Sequence, residues 1–316
     1  MKTATDAAGT ALIAHSDCLA HQTPEGHPEC PERLEAVLSA LEGKDLMRVD
    51  APLATDAQLS PLHPQAHLDR LEAMVSSEGA ASIDGDTWMS PGTMRAARRG
   101  AGGAILGVDM VLEGRARNAF VATRPPGHHA EAAQAMGFCF LAGAAIAARY
   151  ALDHHGLSRV AIIDFDVHHG NGTQALTQDD PRIAYLSAHQ MPLFPGTGDP
   201  GETGVDGNVV NVALHAGSGS AAFRGAMSDV ILPSAASFAP ELILVSAGFD
   251  AHRADPLADL MLTTADFTWV TEALCDLAED HCDGRLVSVL EGGYDLYALA
   301  DSAAAHVDVL IRRGQA

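Results

Sequence analysis

Short apolar runs alternate with longer amphipathic stretches along this chain. Runs at 11–14, 119–122, 160–165, 183–186, 209–214, 242–245 and 286–290 read as strands. Between them, helical spacing of apolar residues predicts helices near 31–42, 63–76, 92–113, 140–155, 219–237, 265–281 and 295–313. The segments Val-Ala-Ile-Ile at 160–163 and Leu-Ile-Leu-Val at 242–245 are apolar at every position. A strand with one wet face would alternate, so these strands belong to a parallel sheet covered on both sides by helices. No Pro/Ser-rich linker and no internal repeat interrupts the alternation, which predicts one α/β domain over residues 1–316. The glycine-rich stretch 196–207 is long for a plain connection and reads as a functional loop.

Ligands of such sheets collect at the carboxyl ends of the strands. Four strand ends deliver unusual polar residues to that rim: 124–130 (Arg-Pro-Pro-Gly-His-His-Ala), 164–172, 246–252 and 291–295 (Glu-Gly-Gly-Tyr-Asp). Asp164, Asp166, His168 and His169 stand where a buried strand leaves the core. Burying a carboxylate costs several kcal/mol unless a cation compensates it. Asp166 and His168, two apart, point to one side of an extended chain, and Asp250 is the natural third ligand. Three such ligands suit a catalytic zinc with a position left open. Either aspartate alone could equally cap a helix; beside the tandem histidines the metal reading prevails.

Next to such a metal, His128 and His129 are candidates for moving protons, with Asp164 and Asn171 available to fix their tautomers. Tyr294, after Gly292-Gly293, can polarise a carbonyl. Phe138 and Phe194 lie in glycine-flanked segments and can line a narrow apolar slot. His154-His155 sits in a polar helix end and is given no role.

The formal net charge is −22, with only two lysines, Lys2 and Lys44, so no basic stripe exists for nucleic acid. The five cysteines are odd in number and form no C-x-x-C, which fits a reducing, cytoplasmic setting. The N-terminus lacks a signal-peptide core, and no apolar run approaches the roughly 20 residues of a membrane span.

These motifs resemble, in order, those of the zinc-dependent histone deacetylase family: 124–130, 137–140, 164–173, 246–250 and 290–294, with His27-Pro-Glu-Cys-Pro-Glu-Arg33 similar to its N-terminal signature. The resemblance runs from about His15 to Tyr297 and has a class II-like, bacterial character, Asn171 standing where some relatives carry Asp. It implies the arginase/deacetylase fold, three α/β/α layers around a mostly parallel eight-stranded sheet. By position it implies Asp166, His168 and Asp250 as ligands of one zinc, and His129 as general base. His128 would be the electrostatic partner or acid, oriented by Asp164, with Asn171 and Tyr294 completing the catalytic set. Gly127, Phe138, Phe194 and Leu257 are the implied substrate contacts. A structural potassium is implied at Asp164, Asp166, His168 and Ser187.

Departures are Phe140-Leu-Ala-Gly143 in place of Phe-Phe-Asn-Asn, and a short stretch between His189 and Phe194. Polyamine-preferring relatives carry Glu after the Asp-Pro that follows the last zinc ligand; here it is Leu257. A two-metal ureohydrolase is disfavoured, since Gly170 and His252 occupy its extra carboxylate positions. A mere binding protein would not keep His128, His129 and Tyr294. The expected activity is removal of acetyl or other acyl groups from lysine side chains in proteins or peptides, with deacetylation of small acylated amines such as acetylpolyamines as the alternative.

Overall fold

The computed structural model describes residues 9–74 and 79–315. Eight strands form one sheet: β1 (Thr10–Ala14), β2 (Met47–Asp50), β3 (Asn118–Val121), β4 (Val160–Asp164), β5 (Ile183–Gln190), β6 (Val209–Leu214), β7 (Leu242–Ala247) and β8 (Leu286–Leu290). Their order is β2-β1-β3-β8-β7-β4-β5-β6, and every pairing is parallel. The expected sheet is therefore present, parallel throughout rather than mostly so.

Two apolar cores explain the doubly apolar strands. Ala161, Ile163, Ile243 and Val245 face one core, which they share with α1 (Pro31–Ala40), the stretch 220–238 and two long C-terminal helices. Val160, Ile162, Leu242 and Leu244 face the other. That second face is covered by α3 (Thr93–Leu112) and α4 (Gly143–His155), which follow α2 (Gln65–Met74). The C-terminal pair is α5 (Thr264–Cys282) and α6 (Leu296–Gly314). Pro31 opens α1, where a missing N–H costs nothing, and a Thr263/Asp266 capping box opens α5.

Differences from the sequence reading have local causes. β2 escapes the apolar pattern because Met-Arg-Val-Asp is an edge strand with little buried surface. β5 runs four residues past the expected end because Ser187, His189 and Gln190 are buried polar residues with partners, which hydropathy cannot reveal. The helix expected at 219–237 contains a π-turn at Met227–Ile231. The expected helix 63–76 ends at Met74, and its positions 75 and 76 lie outside the described residues. A short helix, Asn171–Thr177, follows the polar cluster unannounced by any apolar stripe.

Candidate active site

The site grows from the carboxyl ends of β3, β4, β7 and β8, which are adjacent in the sheet. β4 ends at Asp164, and the chain then bends through Asp166 and His168. Asp250 arrives just past β7. Ligand atoms of Asp166, His168 and Asp250 all lie within 4.8 Å of one another, and all three residues are buried. His168 Nδ1 is 3.1 Å from Asp166 Oδ1 and 3.2 Å from Asp250 Oδ2. A tetrahedral zinc with bonds of about 2.0–2.1 Å would set its ligand atoms about 3.3 Å apart, so the spacing fits.

Backbone donors hold the remaining carboxylate oxygens: Gly292 N donates to Asp166 Oδ2 at 2.8 Å and Val167 N to Asp250 Oδ1 at 2.9 Å. Neither aspartate pairs with a Lys or Arg among the described residues. Burial opposes charge on His168, yet its bonds to Asp166 and Asp250 outweigh that and lift its pKa to about 10. Burial and the neighbouring Asp166 push Asp250 up to about 7. A buried pair of carboxylates that draws positive charge so strongly suits a divalent cation.

A second cation site is also compatible with the backbone. Among the described residues no hydrogen bond reaches the carbonyls of Asp166 or His168, both buried, and Ser187 stands beside Asp164 across β4 and β5. Unpaired buried carbonyls are rare and suit a hard cation. The Ser187 hydroxyl is shared with His189 Nδ1 at 2.9 Å.

The tandem histidines follow β3. His128 Nδ1 contacts Asp164 Oδ2 at 3.1 Å, and its Nε2 lies 3.7 Å from Asp166 Oδ1. Burial works against its charge, but Asp166 and Asp164 prevail and raise its pKa to about 10. His129 has the opposite bias: burial, then the charges of His128 and His168, hold it well below 6.5. Asn171 Nδ2 donates to Glu131 at 2.8 Å, which turns Asn171 Oδ1 toward His129 Nδ1, 2.8 Å away. His129 therefore carries its proton on Nδ1 and leaves Nε2 as an acceptor.

His129, His168 and Tyr294 reach a pocket of about 350 Å³ whose walls include Phe138, Phe194 and Leu257. A Cβ on Gly137 would come within 2.5 Å of the His129 ring and 2.8 Å of the Phe194 ring, so only glycine keeps the slot open. Phe138 adopts φ 67°, a strained conformation for a bulky residue. The Thr87 hydroxyl accepts its N–H at 3.2 Å, and its ring packs on His27 and Tyr294. Gly127 stands apart from the other implied substrate contacts. It packs against Leu141 O behind the histidines, donates to Glu291 Oε2 at 2.6 Å, and is not among the residues lining the pocket. His154 and His155 sit far along α4 and bond within their own neighbourhood, His155 to Asp109.

Sequence reasoning missed the groups that hold this constellation. Arg33 donates to Gly293 O at 2.5 Å and Glu291 O at 2.6 Å, and its guanidinium lies 4.8 Å over the Tyr294 ring. Glu29 receives Arg124 and Arg33, all three fully buried. Charged residues in a short apolar-poor signature, His27 to Arg33, were the available signal.

A parallel sheet with an acidic–imidazole centre at its carboxyl rim suits a metal-dependent hydrolase. The histone deacetylase domain matches residues 27–310, and the chain belongs to the histone deacetylase family, a family of zinc-dependent hydrolases. It is 44% identical over 278 residues to the histone deacetylase-like amidohydrolase of Pseudomonas aeruginosa, covering 85% of this chain and 73% of that one. It is 36% identical over 329 residues to the polyamine deacetylase HDAC10 of Mus musculus, covering 96% of this chain and 48% of the relative. The crystal structure of an HDA15 HD domain superposes with a TM-score of 0.91 at 35% identity, over 98% of this chain and 90% of that one. No helix among the described residues is long and apolar enough to cross a membrane.

Proposed function

We propose that residues 1–316 act as one deacetylase domain that hydrolyses the amide of acyl-lysine side chains, acetyl-lysine first, in the cytoplasm. The observation that carries this is the convergence of His129, His168 and Tyr294 on one pocket behind aromatic walls. A zinc ion held by Asp166, His168 and Asp250 would supply Lewis-acid polarisation of the carbonyl and a more acidic water. A potassium ion at Asp164, Asp166, His168 and Ser187 would steady the same turn.

His129, neutral and with a free Nε2, takes the proton of the attacking water and then passes it to the departing amine. Asn171 and Glu131 hold the tautomer this needs. His128, held through Nδ1 by Asp164, is placed to stabilise the negative charge that develops nearby. The Tyr294 hydroxyl, whose ionisation burial pushes well above 10, stays protonated and donates to the developing oxyanion. Phe138 and Phe194 take the methylenes of the lysine side chain, and Leu257 borders the same slot.

One observation favours a second reading, deacetylation of small acylated amines: Asp86 borders the pocket, on a chain of net charge −22, and would attract a distant ammonium. Against it, Leu257 places a neutral side chain at the wall. The deciding experiment compares kcat/KM across acetyl-lysine peptides, longer acyl-lysines and acetylpolyamines, with metal analysis of the same sample. Higher kcat/KM on acetylpolyamines would replace the first reading by the second, and no turnover of any of them would remove both.

A further inference from the structure

Tyr294 reaches the pocket on an unusual stem. It follows Gly292 and Gly293, the latter at φ 124°; the Gly292 N–H is held by Asp166 and Gly293 O by Arg33, which leaves the N–H of Tyr294 itself to be fixed. Its N–H donates to Asp255 Oδ2 at 2.8 Å. The other oxygen of the same carboxylate, Oδ1, accepts the N–H of Leu257 at 3.0 Å. Asp255 is 9% exposed, its own N–H donates to His252 O at 2.8 Å, and it pairs with no Lys, Arg or His among the described residues. A buried carboxylate without a cation is costly. Here both oxygens are spent on backbone donors from two walls of one pocket.

We propose that Asp255 is a positioning residue that aims Tyr294 at the reacting carbonyl and pins Leu257, and thereby couples turnover rate to selectivity between acyl-lysine peptides and small acylated amines. This rests on the roles of Tyr294 and Leu257 proposed above. Only a carboxylate offers two acceptor oxygens at this position; an amide offers one acceptor and sets an N–H against the second donor. Asp255→Asn keeps the volume and removes half of the clamp. Misplacing a reacting group by about 1 Å can cost about a hundredfold in rate.

The test uses the full zinc-loaded chain. Asp255→Asn should lower kcat on an acetyl-lysine peptide at least about tenfold with zinc content unchanged, and should shrink the kcat/KM preference between acetyl-lysine peptide and acetylpolyamine several-fold. In a Tyr294→Phe background the same change should cost less than about threefold, because the hydroxyl it aims is already gone. Amide hydrogen exchange gives a readout apart from activity: Tyr294 and Leu257 should be slow in the unaltered protein and faster in the variant. The proposal is overturned if Asp255→Asn keeps kcat within about twofold, or costs as much without the hydroxyl as with it. It is equally overturned if the Tyr294 amide of the unaltered protein exchanges as fast as an exposed one. A chain that hydrolyses none of the substrates would defeat the deacylase reading, while the exchange rates would still decide the clamp.

Discussion

Replacing Arg124 by Met should be among the most damaging single changes outside the metal centre. Arg124 is fully buried and donates to Glu29 Oε1 at 2.8 Å and Oε2 at 2.6 Å, and to the carbonyls of Cys18 at 3.1 Å and His21 at 2.5 Å. Burial alone would raise the Glu29 pKa; Arg124, with His21, more than offsets this and holds it well below the usual carboxylate range. Removing one partner of a buried pair typically costs about 3–5 kcal/mol, because the other charge stays buried. Arg33 at 3.1 Å and His21 at 3.2 Å remain beside Glu29, which points to the lower end, about 3 kcal/mol. The assay is urea unfolding of zinc-saturated protein at neutral pH. Because the folded pKa of Glu29 lies below its unfolded value of 4.5, its stabilisation is present above that pH and is lost as pH falls. The deficit of Arg124→Met should therefore narrow in acid. Adding Glu29→Gln should bring no rescue, since it takes the carboxylate from buried Arg33. A loss under about 1 kcal/mol, or a deficit that does not narrow in acid, would refute the reasoning.

Four further outcomes are expected. Tyr294→Phe should lower kcat about a hundredfold or more at unchanged zinc content, and His129→Ala should abolish turnover with the metal retained; kinetics and metal analysis on one preparation check both. In Gly292→Ala the new Cβ would land on Asp250 Oδ2 and 2.6 Å from Asp166 Oδ2, so zinc content after dialysis should fall while the circular dichroism of the sheet and helices persists. His306, fully buried between Thr271 and Ser288, is held by burial at a pKa of about 3. Its folded pKa lies below the unfolded 6.5, so stability is intact above that pH and lost between 6.5 and about 3. By pH 5 the loss should be about 2 kcal/mol, and urea midpoints of His306→Gln should lack that share of the pH dependence.

How much of this was legible in the sequence depended on chemistry type. The sheet was readable because Val-Ala-Ile-Ile and Leu-Ile-Leu-Val are apolar on both faces, a pattern few other architectures produce. Asp166, His168, Asp250 and the histidine pair were readable because buried charge without a partner is improbable by chance. β2 was not, because an edge strand need not be apolar. The supports were not readable either. Asp255, Glu131 and Thr87 reach Tyr294, Asn171 and Phe138 by hydrogen bonds that span tens of positions, and nothing near them in the chain marks those partners.

The sequence by itself determined the layered parallel architecture and the kinds of chemical groups delivered to its rim, because burial patterns and ligand types are properties of residues and their spacing. Only the tertiary structure decided which of those groups meet, which imidazole keeps a free nitrogen, and that Gly127 lies behind the pocket rather than in its wall. Those outcomes depend on distances between segments far apart in the chain, such as His129 to Asn171 and Arg33 to Gly293, and such distances exist only once the strands have paired.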